Sequence, residues 1–92
     1  MFVWDKAKRQ RVIREHRVDF ALLTDAFDDA YGVYFEDVIH STDEETRFDL
    51  IAFSSQYGLV YVTFIYENTD IRLITARKAE NWMKKEYERY KK

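Results

Sequence analysis

Arg47-Phe48-Asp49-Leu50-Ile51-Ala52-Phe53, the break Ser54-Ser55-Gln56-Tyr57-Gly58, Leu59-Val60-Tyr61-Val62-Thr63-Phe64-Ile65-Tyr66, the break Glu67-Asn68-Thr69-Asp70 and Ile71-Arg72-Leu73-Ile74-Thr75-Ala76 together decide the fold. The three long segments are β-branched and aromatic, which suits a pleated, half-buried surface, and the breaks hold turn-forming residues. They read as consecutive antiparallel strands joined by tight connections. Just upstream, Tyr31, Val33 and Phe35 alternate onto one face of another strand, followed by a polar stretch from Asp37 to Glu45 that reads as a solvated loop. The centre of the chain is therefore an antiparallel meander of about four strands.

Working outward, Phe2-Val3-Trp4 is a short apolar strand, and Asp5 sits where a helix N-cap belongs. A helix is predicted over 6–16. Its apolar positions, Ala7, Val12 and Ile13, form a narrow stripe on a mostly basic surface. Asp19 is a second candidate N-cap, and Phe20, Leu23 and Phe27, flanked by Leu22 and Ala26, have the spacing of a second, short amphipathic helix. At the other end, Met83, Tyr87 and Tyr90 share a helical stripe, which predicts a helix over 79–90. The expected architecture is α+β: the meander covered by two N-terminal helices, with a C-terminal helix closing a single domain over 1–92. Gly32 and Gly58 fall at strand ends, a placement that suits backbone roles better than a phosphate-binding loop.

Composition narrows the function. Hydrophobic residues are 47 % of the 92 and aromatics 17 %, enough for a core and too much for a disordered chain. Without cysteine there is no disulfide, thiolate metal site or cysteine nucleophile. The apolar runs are short of the roughly 20 residues that span a bilayer, so no membrane partner and a cytoplasmic location are expected. The formal net charge of −2 conceals a strong segregation. Residues 1–17 carry six Lys and Arg against Asp5 and Glu15, residues 18–50 carry ten carboxylates against Arg47 alone, and residues 51–92 carry eight cations against five acids. Basic ends flank an acidic middle, so local fields matter more than the total. Neither a nucleotide-binding glycine loop, nor zinc-ligand spacing, nor a Ser-His-Asp arrangement is present; no cofactor and no metal are expected.

Phe2-x-Trp4-Asp5-x-x-Lys8, His16-x-Val18-x-Phe20, Ala26-Phe27-x-Asp29, Glu45-x-Arg47-Phe48, Ile71-Arg72-x-Ile74-x-Ala76-Arg77-Lys78-Ala79 and Tyr87-Glu88 occur in that order over nearly the whole chain. In these segments the chain resembles the BrnT family. The resemblance implies a RelE-like fold, a ribonuclease toxin of a type II toxin–antitoxin pair, and neutralisation by a BrnA-like ribbon-helix-helix antitoxin whose complex represses its own operon. A homodimer, or a heterotetramer with the antitoxin, are the assemblies it allows. Members commonly read Asn where this chain has Val12, Lys-His-Gly where it has Glu15-His16-Arg17, Thr at Glu80 and Glu at Met83. These departures motivate an alternative expectation, a catalytically weak homologue that serves as a protein-binding module in an antitoxin or repressor complex.

RNA carries its own nucleophile, the 2′-hydroxyl, so a ribonuclease can work with a proton acceptor, a proton donor and cations for the phosphorane charge. Arg47, Arg72 and Arg77 lie in or beside strands, and their planar forks suit a phosphate. The competing use is a pair with a nearby carboxylate such as Glu45 or Glu67. His16 is the only imidazole in a predicted helix or strand, and an ordinary His suits proton transfer near neutrality; a helix C-terminus also gives it a purely structural role. Lys8 and Arg11, one turn apart, suit the RNA backbone. Tyr87 suits base stacking or proton donation, and equally the core. His40 is assigned to the solvated acidic loop.

Overall fold

The computed structural model describes residues 1–91. In chain order it contains β1 (Phe2–Trp4), α1 (Lys6–His16), two 3₁₀ turns (Phe20–Leu22 and Thr24–Asp28), β2 (Val33–Glu36), β3 (Phe48–Ser54), β4 (Gly58–Glu67), β5 (Asp70–Lys78) and α2 (Asn81–Tyr90). The five strands form one sheet in the order β1-β5-β4-β3-β2. The expected meander is present as β2 to β5, each strand antiparallel to the next. The count of four becomes five because β1 adds to the far edge, parallel to β5, with Val3 opposite Arg72. A three-residue strand has too little periodicity to announce its partner, and a parallel pairing needs a long crossover, here supplied by most of the chain.

α1 occupies the predicted residues. The Asp5 side chain accepts from the Ala7 N–H at 3.2 Å, and the helix ends at Arg17, whose left-handed backbone (φ 60°) returns its N–H to the Ile13 carbonyl at 3.0 Å. The second expected helix is absent; its place is taken by the two 3₁₀ turns. Its three fully buried side chains, Phe20, Leu23 and Ala26, are three residues apart, which matches the three-residue turn of a 3₁₀ helix. The Asp19 carboxylate caps Ala21 at 3.0 Å and accepts two bonds from Arg9, at 2.8 and 2.9 Å, locking the segment to α1. Further on, Asp25 accepts from the Ser55 N–H at 2.9 Å and Asp29 from the Phe53 N–H at 2.8 Å, so carboxylates stitch the turns to the end of β3.

The sheet has a core on each face. α1 and the 3₁₀ turns cover the first, where Val12, Val18, Phe20, Leu23 and Ala26 meet Leu50, Ala52, Val60, Val62, Phe64, Leu73 and Ala76. α2 covers part of the second, packing Met83 and Tyr87 on Ile51. Alternation along β3 and β4 puts Asp49, Tyr61 and Thr63 on this second face, with Tyr61 at the margin of α2, its ring centre 6.1 Å from that of Trp82. β4 and β5 slip register at Thr63 and Phe64, leaving Ile74 without an opposite number. The uncovered part of the second face, bounded by α1 and the β2–β3 loop, is concave.

Candidate functional site

This concavity has a volume of about 480 Å³. Lys8, Arg11, Glu15 and His16 line it from α1, His40 and Arg47 from the β2–β3 loop, and Arg77 from β5, over a floor that includes Tyr61 and Thr63. On α1 the spacing of Lys8, Arg11 and Glu15 places them along one stripe, while Val12 turns into the core. Thus five of the residues expected to act on RNA, Lys8, Arg11, His16, Arg47 and Arg77, share one cavity although they are spread over most of the chain.

The loop is exposed, as expected, with Val38, Ile39 and His40 open to solvent, but its backbone is closed by hydrogen bonds. Asp37 N–H donates to the Arg47 carbonyl at 2.8 Å, and the Ser41 hydroxyl donates to the Asp37 carbonyl at 2.7 Å while accepting from the Arg47 N–H at 2.8 Å. These bonds close the loop on itself and hold Asp37, His40 and Arg47 together. His40 Nδ1 lies 3.0 Å from both Asp37 carboxylate oxygens, and its backbone N–H also donates to that carboxylate. Burial pushes the Asp37 carboxyl up, but the hydrogen bonds from His40 outweigh it and hold the group below the usual carboxylate range.

Beneath the cavity floor lies Asp49, only 2 % exposed. It accepts from the Tyr61 hydroxyl at 2.6 Å and the Thr63 hydroxyl at 2.7 Å. Burial raises the Asp49 carboxyl despite these two bonds, and the neighbouring Asp37 charge adds to the rise. Tyr61 is pushed up in turn, first by burial and then by its bond to Asp49, so its hydroxyl stays a proton-bearing donor. The Arg77 guanidinium lies 5.3 Å from the centre of the Tyr61 ring, a cation–π contact, and 3.5 Å from Glu80. Tyr61 therefore ties the buried carboxylate to the cation above it. Sequence reading missed this network, although one signal was there: Asp49 interrupts a run, Phe48 to Ala52, in which both faces are otherwise apolar.

The remaining expected residues stand elsewhere. Arg72 donates to Glu67 at 2.6 Å across the β4–β5 turn and does not line the cavity. Arg47 also meets a carboxylate, Glu45 at 3.2 Å, but lines the cavity all the same. Tyr87 belongs to the core: it is 4 % exposed and its hydroxyl donates to Asp29 at 2.8 Å, burial and that bond pushing it up to about 12. A buried ring cannot stack on a base. Among the residues that depart from the family pattern, Val12 and Met83 are buried, and the Met83 sulfur accepts from the Glu80 N–H at 3.3 Å to cap α2. Glu15 places a negative charge on the cavity wall. Among the described residues no group of three or more His, Asp or Glu side chains is arranged to hold a metal ion.

The structure is similar to the crystal structure of the Brucella abortus ribonuclease toxin BrnT, with a TM-score of 0.68, 25 % sequence identity, and coverage of 88 % of this chain and 99 % of that one. A search of curated proteins finds no match. The family model for the ribonuclease toxin BrnT of type II toxin–antitoxin systems matches residues 4–82, a span that runs from the last residue of β1 through α1 and the whole meander to the first two residues of α2. The chain thus belongs to the BrnT family of ribonuclease toxins.

Proposed function

We propose that the chain cleaves RNA by attack of its 2′-hydroxyl on the adjacent phosphorus, in the cavity between α1, the β2–β3 loop and β5. The observation that carries this reading is the convergence of Lys8, Arg11, Arg47, Arg77 and His16 on one concave surface. Arg47 and Arg77 would receive the charge that gathers on the phosphorane oxygens, and Lys8 and Arg11 the flanking phosphates. His16, or a nearby carboxylate, transfers protons. Because the substrate brings its nucleophile and the side chains bring the positive charge, no step requires a metal. The partner is a BrnA-like ribbon-helix-helix antitoxin, and the place of action the cytoplasm.

The test is incubation of the purified chain with total RNA in EDTA. The expected products end in a 2′,3′-cyclic phosphate and a 5′-hydroxyl, and Arg77→Ala lowers their rate of formation by about 100-fold or more, in line with the loss of one preorganised donor. Intact RNA, or cleavage that Arg77→Ala leaves unchanged, sinks the proposal. One observation favours the second reading, a protein-binding module with little activity. Carboxylates crowd the catalytic cations, with Glu15 on the wall, Glu45 at 3.2 Å from Arg47 and Glu80 at 3.5 Å from Arg77. That reading predicts tight binding to the product of a neighbouring small reading frame without growth arrest on expression alone.

A further inference from the structure

The sequence contains two histidines, His16 and His40, and the fold brings both to the same cavity from different walls. One ends α1; the other stands on the loop that follows β2. Transfer of a phosphoryl group within RNA has two proton problems, one on the attacking oxygen and one on the departing oxygen, and a single imidazole addresses only one of them at a time. We infer that His16 and His40 act as a pair, one taking the 2′-hydroxyl proton and the other giving a proton to the 5′-oxygen, with Asp37 as the positioning residue of His40. The inference rests on the ribonuclease reading above and names its second proton-transfer group.

Three features support it. Asp37 engages Nδ1 of His40 at 3.0 Å, which fixes the ring and leaves Nε2 as its working nitrogen. Asp37 is itself fixed, because its main chain is bound to Arg47 and to the Ser41 hydroxyl. A side chain on a free loop would not be held in this way. Finally, the same closure that holds the Asp37 backbone also holds that of Arg47, so the positioning residue of His40 and a phosphate-binding cation belong to one hydrogen-bonded loop that lines the cavity. In the step, the O2′–P bond forms as the O2′–H proton passes to one imidazole. The P–O5′ bond breaks as the other imidazole protonates O5′. The products are a cyclic phosphate and a free 5′-hydroxyl, and exchange of one proton with water restores the pair.

The test compares two dinucleotide substrates, one with the natural P–O5′ bond and one in which sulfur replaces O5′. A thiolate leaves without protonation, so the sulfur substrate makes the acid dispensable while the base is still needed. On the natural substrate His16→Ala and His40→Ala each lose about 100-fold or more, the size expected of general acid or base catalysis. On the sulfur substrate one of the two variants regains the parent's rate and the other does not. Asp37→Asn follows the His40 variant in both substrates and adds nothing to it in a double-mutant cycle. Circular dichroism and thermal midpoints show that each variant is folded. The pairing is overturned if His40→Ala keeps the parent's rate on the natural substrate, or if both variants respond alike to sulfur. A parent that cleaves neither substrate overturns the ribonuclease reading, and the pairing with it; a parent that cleaves while His40→Ala is unaffected overturns the pairing alone.

Discussion

At the scale of single residues the cavity is a balance of charges, and two substitutions probe it. Glu15 lines the cavity close to Lys8 and Arg11 on one helix stripe. Glu15→Lys removes a repulsion from RNA phosphates and adds a contact; it tightens RNA binding and steepens the dependence of binding on salt by about one unit of slope, measured by fluorescence anisotropy over a salt series. Arg72→Ala, by contrast, leaves cleavage near the parent's rate, because Arg72 is engaged by Glu67 away from the cavity. Asp49 supplies a pH prediction. Its carboxyl is raised in the folded chain, so the group favours the folded state at pH below its ordinary value near 4, and that contribution is lost as pH rises through the raised value. Asp49→Asn carries no charge to bury. Its thermal midpoint therefore gains on the parent's as pH rises from 4 to 7, and the two curves draw together on acidification; parallel curves would contradict the burial argument.

At the scale of elements, carboxylates rather than apolar contacts decide the conformation of the segment after α1. Asp29 accepts from the Tyr31 and Phe53 N–H groups and from the Tyr87 hydroxyl, tying the second 3₁₀ turn to β3 and α2 at once. Burial works against this charge, yet the three donors hold the Asp29 carboxyl below its usual range. Asp29→Ala costs about 3 kcal/mol in urea unfolding, since it strands donors that are bonded to a charged group. Tyr87→Phe costs about 1 kcal/mol and leaves RNA binding unchanged. How far the elements were legible follows from the same physics. α1 could be read because its Asp5 cap and helix formers are local signals, and β3 to β5 because alternation and turn residues are local too. Phe20, Leu23 and Ala26 fit a helical stripe and a 3₁₀ stripe alike, and the bonds of Asp25 and Asp29 to residues some twenty to thirty positions away decided between them. The loop of His40 is exposed, as its polar composition predicts; what composition does not carry is the Ser41 bridge between Asp37 and Arg47, which turns that loop into a wall of the cavity. The convergence of Lys8, Arg11 and His16 with Arg77 is tertiary, and no spacing in the sequence encodes it.

At the scale of the molecule the segregation of charge becomes spatial. α1 brings its basic stripe to the cavity, and the acidic middle supplies the 3₁₀ turns and the β2–β3 loop. Four cations on the cavity predict a salt slope near −3 for single-stranded RNA, about 0.7 for each phosphate neutralised, despite the net charge of −2. A slope near zero would show that the carboxylates cancel the site. The parallel pairing of Val3 with Arg72 has a consequence for the time at which this site exists. During synthesis the N-terminal strand and α1 leave the ribosome first, but the strand they dock against is made near the end, at about 5–20 residues per second. One wall of the cavity has nothing to lean on until β5 is out. The half-made chain cannot assemble this cavity, and the surface comes into being only when nearly the whole chain has been made.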